Sequence, residues 1–377
     1  MRGLYVHIPF CLQKCHYCDF VITVDRSPAL KERFFQALER EVRQAAGRHG
    51  PLSFDTLYFG GGTPSALEPE EMERVIQRLR KTFSFAPEAE TTCEVNPGDV
   101  DRRKLETYRR LGINRISVGA QSFTDGLLQE MNRPHDARAI EETVRMLREL
   151  GFTNTSMDLI LRLPGQTLDD ARDSVRQAAA LGVSQIVLYD LDVHEKTVYG
   201  RRLKQGTLVL PDEAAHEQMF AAAEEILEKA GYRHYEVANF AKPGFESRHN
   251  LLYWTNQEYL GVGPGAFSYL NGVRSQFAPD VNRYLAKCEA GDWAPDESEQ
   301  ISDENKEIET LLTGLRLSHG LELNRFSRIR EPLEKTVGEL ISQGLVERTG
   351  GRVALTRRGR YVAESVIGRI VQSCLPG

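Results

Sequence analysis

Long apolar runs are missing from this chain. No stretch approaches the roughly 20 residues needed to cross a bilayer, so no membrane span is expected. Cysteine is scarce, 6 in 377 residues, and no signal-like segment precedes the first of them. That argues against a secreted disulfide scaffold. The first apolar run leaves no room for a leader before it, so the expected compartment is the cytoplasm, with the thiols reduced. An excess of positive charge is also missing. The net charge of −6 disfavours non-specific nucleic-acid binding by the whole chain. There is no low-complexity tract and no short-period repeat. A Walker loop is absent too, because Gly60-Gly61-Gly62 runs into Thr63-Pro64 with no Gly-Lys-Ser/Thr. What remains is an ordinary globular composition, 41% hydrophobic. The length suits two or three domains, or one barrel with an appendage.

Half of the cysteines fall on one short loop. Cys11, Cys15 and Cys18 follow the apolar run LYVHI at 4–8. Sulfurs at that spacing can converge on a [4Fe-4S] cluster and leave one iron without a protein ligand. On spacing alone zinc stays open, with His16 as the fourth ligand.

The periodicity predicts strands at 4–8, 56–59, 91–97, 113–123, 153–165 and 183–191. Helices are expected between them at 28–46, 69–81, 100–110, 136–150 and 167–181. The first carries Leu30, Phe34, Leu38 and Val42 on one stripe, and the second has Pro69 in its first turn, where its missing N–H costs little. Such alternation implies an α/β fold with a parallel sheet covered by helices. An open doubly wound sheet and a barrel both fit, and in both the ligands sit at the carboxyl ends of strands. The cysteines, the triple glycine, Glu94, Asn96 and Gln121 fall at or near such ends, whereas Asp158 lies within its strand. A bare charge there is costly to bury. The glycines let a backbone approach a ligand closely.

A further helix is expected at 207–231. Residues 232–269 are aromatic, polar and glycine-broken, and read as a loop-rich surface with short strands. Residues 303–316 read as a helix. Residues 321–369 read as helix, helix, hairpin, helix, a winged-helix pattern with Gly350-Gly351 at the turn. The polar stretch at 290–302 marks a boundary. Three regions are therefore expected: 1–231, 232–299 and 300–377. Arg348, Arg352, Arg357, Arg358 and Arg360 gather around the hairpin and offer a phosphate-binding surface. A winged shape alone does not imply function. Cys93, Cys288 and Cys374 are scattered and read as packing thiols.

The C-x-x-x-C-x-x-C spacing right after the first strand, joined to GGGTP at the next strand end, resembles the radical S-adenosylmethionine superfamily. In that family the amino and carboxylate groups of S-adenosylmethionine chelate the open iron, and the reduced cluster passes an electron to the sulfonium, giving a 5′-deoxyadenosyl radical. Along essentially the whole chain, the blocks YVHIPFC, FGGGTPS, EVNPGD, NRISVGAQSF, NRPHD, MDLILRLPGQT and YEVANFA are similar to the oxygen-independent coproporphyrinogen oxidase family. The resemblance implies a partial (β/α)6 TIM-like barrel with a winged-helix-like C-terminal domain. It implies cluster ligation by Cys11, Cys15 and Cys18. It places S-adenosylmethionine contacts at Tyr5, Tyr17, Gly61, Gly62, Thr63, Glu94, Gln121, Arg133 and Asp158. The residue types suit these roles: carboxylates accept from an amine and from ribose hydroxyls, and a guanidinium clamps a carboxylate.

Three departures from the oxidases matter. Position 20 is Phe20, where they carry a further cysteine; their leading extension is not seen; and HNLLYW at 249–254 resembles the HemW-type haem chaperones, the non-oxidase branch. That branch implies haem as a ligand, His249 as the iron donor, and Tyr253 and Trp254 packed on the porphyrin. It also implies an acceptor protein such as a membrane haemoprotein, no nucleic-acid partner and no coproporphyrinogen oxidase activity. Related chains often carry a later G-x-G-A-H segment; Phe267 stands at that histidine, so no second histidine ligand is expected there. The rival readings are the oxidase itself and an iron–sulfur regulator that binds DNA through the wing.

Overall fold

The computed structural model describes residues 1–375. The first half runs β1 (Arg2–Ile8), α1 (Pro28–His49), β2 (Ser53–Gly61), α2 (Pro69–Thr82), β3 (Ser84–Val95), α3 (Arg102–Arg110), β4 (Arg115–Gln121), α4 (Asp125–Glu130), α5 (Ala137–Glu149), β5 (Asn154–Leu161), α6 (Leu168–Leu181) and β6 (Gln185–Asp190). Local chemistry sets these boundaries. Ser27 caps α1 ahead of Pro28, and Thr167 and Asp170 form a reciprocal capping box at the start of α6.

Strands β1 to β6 are parallel and lie side by side in chain order, curling into a partial barrel. Alternation decides what faces where. Leu4, Val6, Ile8, Leu57, Phe59 and Cys93 pack outward with Phe34, Leu38 and Met72 of the helices in one buried core. Tyr5, His7, Thr56, Tyr58, Glu94 and Asp158 face inward. The lumen is therefore polar while the wall is sealed by hydrocarbon.

The next stretch differs from its sequence reading. It contains α7 (Val198–Lys204), α8 (Glu213–Lys229), β7 (Arg233–Glu236), β8 (Asn239–Ala241), α9 (Arg248–Trp254), β9 (Glu258–Val262), β10 (Phe267–Leu270), β11 (Val273–Gln276), α10 (Val281–Ala290) and β12 (Glu297–Gln300). The helix expected at 207–231 begins only at Glu213, after a stretch holding Pro211, which restricts the residue before it to an extended conformation. The strands of 232–300 extend the one sheet at both edges. β8 and β7 add beyond β6, and β9 adds parallel to β1, followed by β10, β11 and β12. HNLLYW is not loop but a helix, capped by the Ser247 side chain.

The C-terminal part holds α11 (Asp303–Gly314), β13 (Leu321–Glu322), α12 (Arg330–Ser342), β14 (Val346–Thr349), β15 (Arg352–Leu355), α13 (Arg357–Tyr361) and α14 (Ala363–Cys374). Its small sheet, ordered β13-β15-β14, closes over a separate apolar core that includes Leu333, Val337, Val353 and Ile367. The first helix expected within 321–369 is instead a single 3₁₀ turn at Leu323–Arg325, because Leu321 and Glu322 pair with Val353 and Arg352 and draw the chain into strand. This part docks on the barrel through backbone bonds from Val237 to Arg316 (3.0 Å) and from Ser318 to Tyr235 (2.9 Å). Among the described residues no helix is long and apolar enough to cross a membrane.

Candidate functional site

The cysteine loop closes on itself at the carboxyl end of β1. The Cys11 amide donates to the Thr23 carbonyl (3.0 Å) and Thr23 returns a bond to Pro9 (2.8 Å). The glycine loop is stitched to it, with Gly62 donating to Ile8 (2.8 Å) and Thr63 to Phe10 (2.9 Å). Gly61 has φ +107°, and a Cβ on it would come within 2.5 Å of the His7 ring. Only glycine serves at that position. The Thr63 hydroxyl lies 3.4 Å from Cys11 Sγ.

A second loop, after α4, grips the cysteines from the other side. Gln13 donates to the Asn132 carbonyl (2.8 Å), and Asn132 donates to the Lys14 carbonyl (2.8 Å). Asn132 holds φ +58° to do so, and Gln121, at the end of β4, holds φ +68°. Positive φ is costly in a residue with a side chain and tends to gather at functional sites. Between these loops sits Arg133, which donates to Cys15 Sγ (3.4 Å), the Tyr17 hydroxyl (3.4 Å), Asn96 Oδ1 (2.5 Å) and the Gly119 carbonyl (2.7 Å). Asn96 in turn donates to Thr63 Oγ1 (3.0 Å). Cys11, Thr63, Asn96, Arg133, Cys15 and Tyr17 thus form one connected network. Gln121 lies beside it: its Nε2 is 3.1 Å from the position a Gly119 Cβ would take, with Asn96 Oδ1 at 3.2 Å and Arg133 Nη2 at 3.3 Å.

Below the network, two carboxyls line the lumen. Glu94 accepts from the Tyr58 hydroxyl (2.7 Å) and Asp158 from the Ser117 hydroxyl (3.3 Å). Burial raises both, Glu94 to about 7 and Asp158 to about 6, against the opposing pull of those hydroxyls and of the Arg115 charge. Glu94 is thus poised to ionise when a cationic ligand arrives. The Tyr5 hydroxyl lies 3.2 Å from His7 Nδ1 on the same inner face.

The thiols fit a cluster better than a single ion. Among the described residues no three His, Cys, Asp or Glu side chains converge closely enough to hold one metal ion. His16 bonds the Glu130 carbonyl through Nδ1 (2.7 Å) and forms no such group with the cysteines, so the zinc reading has no fourth ligand in place. A cubane cluster takes each thiolate on a different iron and needs no common point. Burial pushes the Cys11 thiol up to about 11 and raises Cys18 as well. Bare thiolates are disfavoured in this loop, and the positive charge of a cluster's irons would offset that cost.

His249 is not part of this assembly. It lies near the amino ends of the strands, where its Nδ1 is 2.7 Å from Thr56 Oγ1 and its Nε2 is 2.9 Å from the Tyr253 hydroxyl. Thr56 stands well down β2 from Gly61, about 16 Å at ~3.3 Å per residue. The ring is 1% exposed, and burial, followed by the Arg115 charge, lowers it to about 3. Tyr253 stays beside it, but Trp254 points to Arg316, whose guanidinium carbon is 5.6 Å from the ring centre.

The wing arginines are largely engaged within the protein. Arg348 is bidentate to Glu334 (2.8 and 3.1 Å), and Arg352 pairs with Glu322 (3.0 Å). Arg357 and Arg360 reach the buried Glu224 (2.6 and 3.1 Å). Sequence reasoning missed Asn96 as a network member, together with Tyr58, Gly119 and Asn132. For Tyr58 the signal was present: it alternates with Thr56 and Gly60 on the inner face of β2.

Residues 5–178 match the radical SAM superfamily and residues 301–362 match the HemN C-terminal domain. Curated relatives named heme chaperone HemW include one from Bacillus subtilis, 33% identical over 98% of each chain. Another, from Lactococcus lactis, is 34% identical over 98% of this chain and 97% of its own. That of Escherichia coli is 36% identical over 70% of this chain and 69% of its own. Among solved structures, the radical SAM coproporphyrinogen III oxidase HemN of Escherichia coli superposes with a TM-score of 0.86 at 23% identity, covering 99% of this chain and 89% of that one. At that identity the likeness speaks for the fold alone.

Proposed function

The chain belongs to the HemW family of haem chaperones within the radical SAM superfamily, and from that membership we propose that it binds haem and hands it to an acceptor protein. The carrying observation is that the identity to named haem chaperones runs through barrel and C-terminal domain alike. In this reading Cys11, Cys15 and Cys18 hold a [4Fe-4S] cluster, and S-adenosylmethionine sits against it. When bound, these groups supply one-electron chemistry that side chains lack. Arg133 and Gln121 take the ligand's carboxylate side, Glu94 its amine, and Asp158 its ribose. Gly61, Gly62 and Thr63 bring backbone up to it, with Tyr5 and Tyr17 as flanking rings.

At the barrel mouth the cysteine loop carries Leu12, Phe20 and Val24 exposed, with Phe20 66% accessible. Apolar side chains there offer cover to a porphyrin face or to a partner. Haem ligation by His249 belongs to the same reading, and it requires the bonds to Thr56 and Tyr253 to be released. The reading places the chain in the cytoplasm, with a membrane haemoprotein as one class of acceptor. Titrating anaerobically purified protein with haem tests it. A saturable Soret band and loss of that haem to an added apo-haemoprotein are expected; absence of a saturable band would overturn the reading.

A further inference from the structure

His249 has a second relationship in the folded chain. Its ring stacks on Tyr58, with centroids 4.9 Å apart and planes at 28°. The Tyr58 hydroxyl is the one that donates to Glu94 at 2.7 Å. Tyr5 flanks Tyr58 as well, with ring centroids 6.1 Å apart and planes at 28°. Room for this arrangement comes from Gly60: a Cβ there would lie 2.9 Å from Tyr58 Cε1, 3.1 Å from Glu94 Oε1 and 3.1 Å from Tyr5 Cε2.

The histidine is itself held firmly. Glu90 accepts from the backbone amides of His249 (3.0 Å) and Arg248 (3.2 Å), a carboxylate fastened to the first turn of α9. Thr56 and Tyr253 fix the ring through its two nitrogens. A rigid chain of contacts therefore runs from Glu90 and α9 through His249 and Tyr58 to Glu94.

We propose that His249 is a positioning residue of the S-adenosylmethionine site, holding Tyr58 so that its hydroxyl stays on Glu94. This rests on the reading of Glu94 as an S-adenosylmethionine contact, and it describes the chain while no haem is on His249. The physical logic is preorganisation. A half-buried carboxyl that must meet an amine gains from being fixed and partly satisfied beforehand. Tyr58 is long and free to turn about two torsions, and the stacked imidazole removes that freedom.

The arrangement also sets a pH dependence. Facing Glu94 are Tyr58, the Gly61 amide, Asp158 and Arg115, with Tyr5, Tyr189 and Tyr253 near enough to feel its charge. Burial raises Glu94 and Asp158 adds to this, while the Tyr58 hydroxyl, the Gly61 amide and Arg115 pull it down. Binding of a cationic amine should weaken as pH falls through about 7, where Glu94 takes up its proton. Losing the Tyr58 bond removes a stabiliser of the carboxylate, so that inflection should move to higher pH.

The test is S-adenosylmethionine affinity of the anaerobically reconstituted protein, measured by equilibrium dialysis against pH, for Tyr58→Phe, His249→Ala and the double variant. Glu94→Gln serves as the reference for the underlying reading. Each single change should weaken binding roughly tenfold and move the inflection upward, and the double should be no worse than either single, since both act through one bond. Tyr253→Phe keeps the ring beside His249 and drops only a hydroxyl; it should give a smaller change of the same sign should His249→Ala fail to fold. Unchanged affinity and an unmoved inflection in His249→Ala and Tyr253→Phe, with Glu94→Gln still defective, would overturn the inference alone. Unchanged affinity in Glu94→Gln would overturn the reading of the site along with it.

Discussion

Arg133 points its guanidinium at the sulfur of Cys15, 3.4 Å away. The same group is held by the Asn96 side chain and the Gly119 carbonyl. A positive charge is thus fixed beside one of the three loop cysteines and beside Gln121. It is tied there by partners from β4 and from the turn after β3. Charge at that spot serves two ends: it lowers the cost of a thiolate at Cys11 and Cys18, and it waits for an incoming carboxylate.

Replacing Arg133 by Ala should lower S-adenosylmethionine affinity by about 1.5–3 kcal/mol, the range for a hydrogen bond to a charged group. Lysine should not restore it, because a point charge lacks the fork that reaches several acceptors at once. Iron content should persist, since the ligands are cysteines. Affinity equal to that of the parent would assign Arg133 to holding the loop and nothing more.

Reconstituted protein should carry about four irons per chain. Cys11→Ala, Cys15→Ala and Cys18→Ala should each abolish the iron chromophore, whereas changes at Cys93, Cys288 or Cys374 should leave it. His16→Ala should also leave it, because the cluster's protein ligands are the three loop cysteines. Stoichiometric zinc without a chromophore would contradict the cluster.

Glu224 on α8 joins the barrel to the C-terminal domain. It accepts from Arg357 Nε (2.6 Å), Arg360 Nη2 (3.1 Å) and the Tyr361 hydroxyl (3.0 Å), and lies 3.3 Å from His234 Nδ1. Burial pushes the carboxyl up, but His234, Tyr361, Arg360 and the Arg357 charge outweigh it and hold it at about 2, below its ordinary 4.5. The sign follows from linkage: a depressed folded pKa gives stability that is present above 4.5 and lost as pH falls through about 2. Docking of the C-terminal domain should therefore loosen in that window. Glu224→Gln should loosen it already at neutral pH, by roughly 1–3 kcal/mol. Hydrogen exchange at α13 and α14 measures both, and protection equal to the parent's would rule out this latch.

The basic hairpin should not retard DNA in a gel at physiological salt. Arg348, Arg352, Arg357 and Arg360 are already paired with Glu334, Glu322 and Glu224. Freeing them for phosphate would break those pairs. A specific, salt-sensitive shift would revive the regulator.

What was legible in the sequence was local. Cys11, Cys15 and Cys18 sit within one loop, and Gly60 to Thr63 run from the end of β2 into the turn after it, so spacing alone marks them. The strands β1 to β6 announce themselves because apolar wall residues such as Val6, Phe59 and Val118 recur in short segments between amphipathic helices. Non-local pairing was hidden. Nothing in Arg233–Glu236 or Glu258–Val262 says that the two strands extend opposite edges of one sheet. Leu321 and Glu322 turned to strand because Arg352 and Val353 were there to pair with. His249 shows the same limit: the block HNLLYW was visible, but its burial against Thr56 and Tyr58 depends on how α9 lies across the strands.

The central claim is haem delivery in place of porphyrin oxidation, and one preparation decides it. Anaerobically reconstituted protein, with S-adenosylmethionine and reductant present, is given haem in one vessel and coproporphyrinogen III in another. The account predicts a protein-bound Soret band in the first and no useful conversion to protoporphyrinogen in the second. Sustained turnover of coproporphyrinogen III, with haem left unbound, would contradict it.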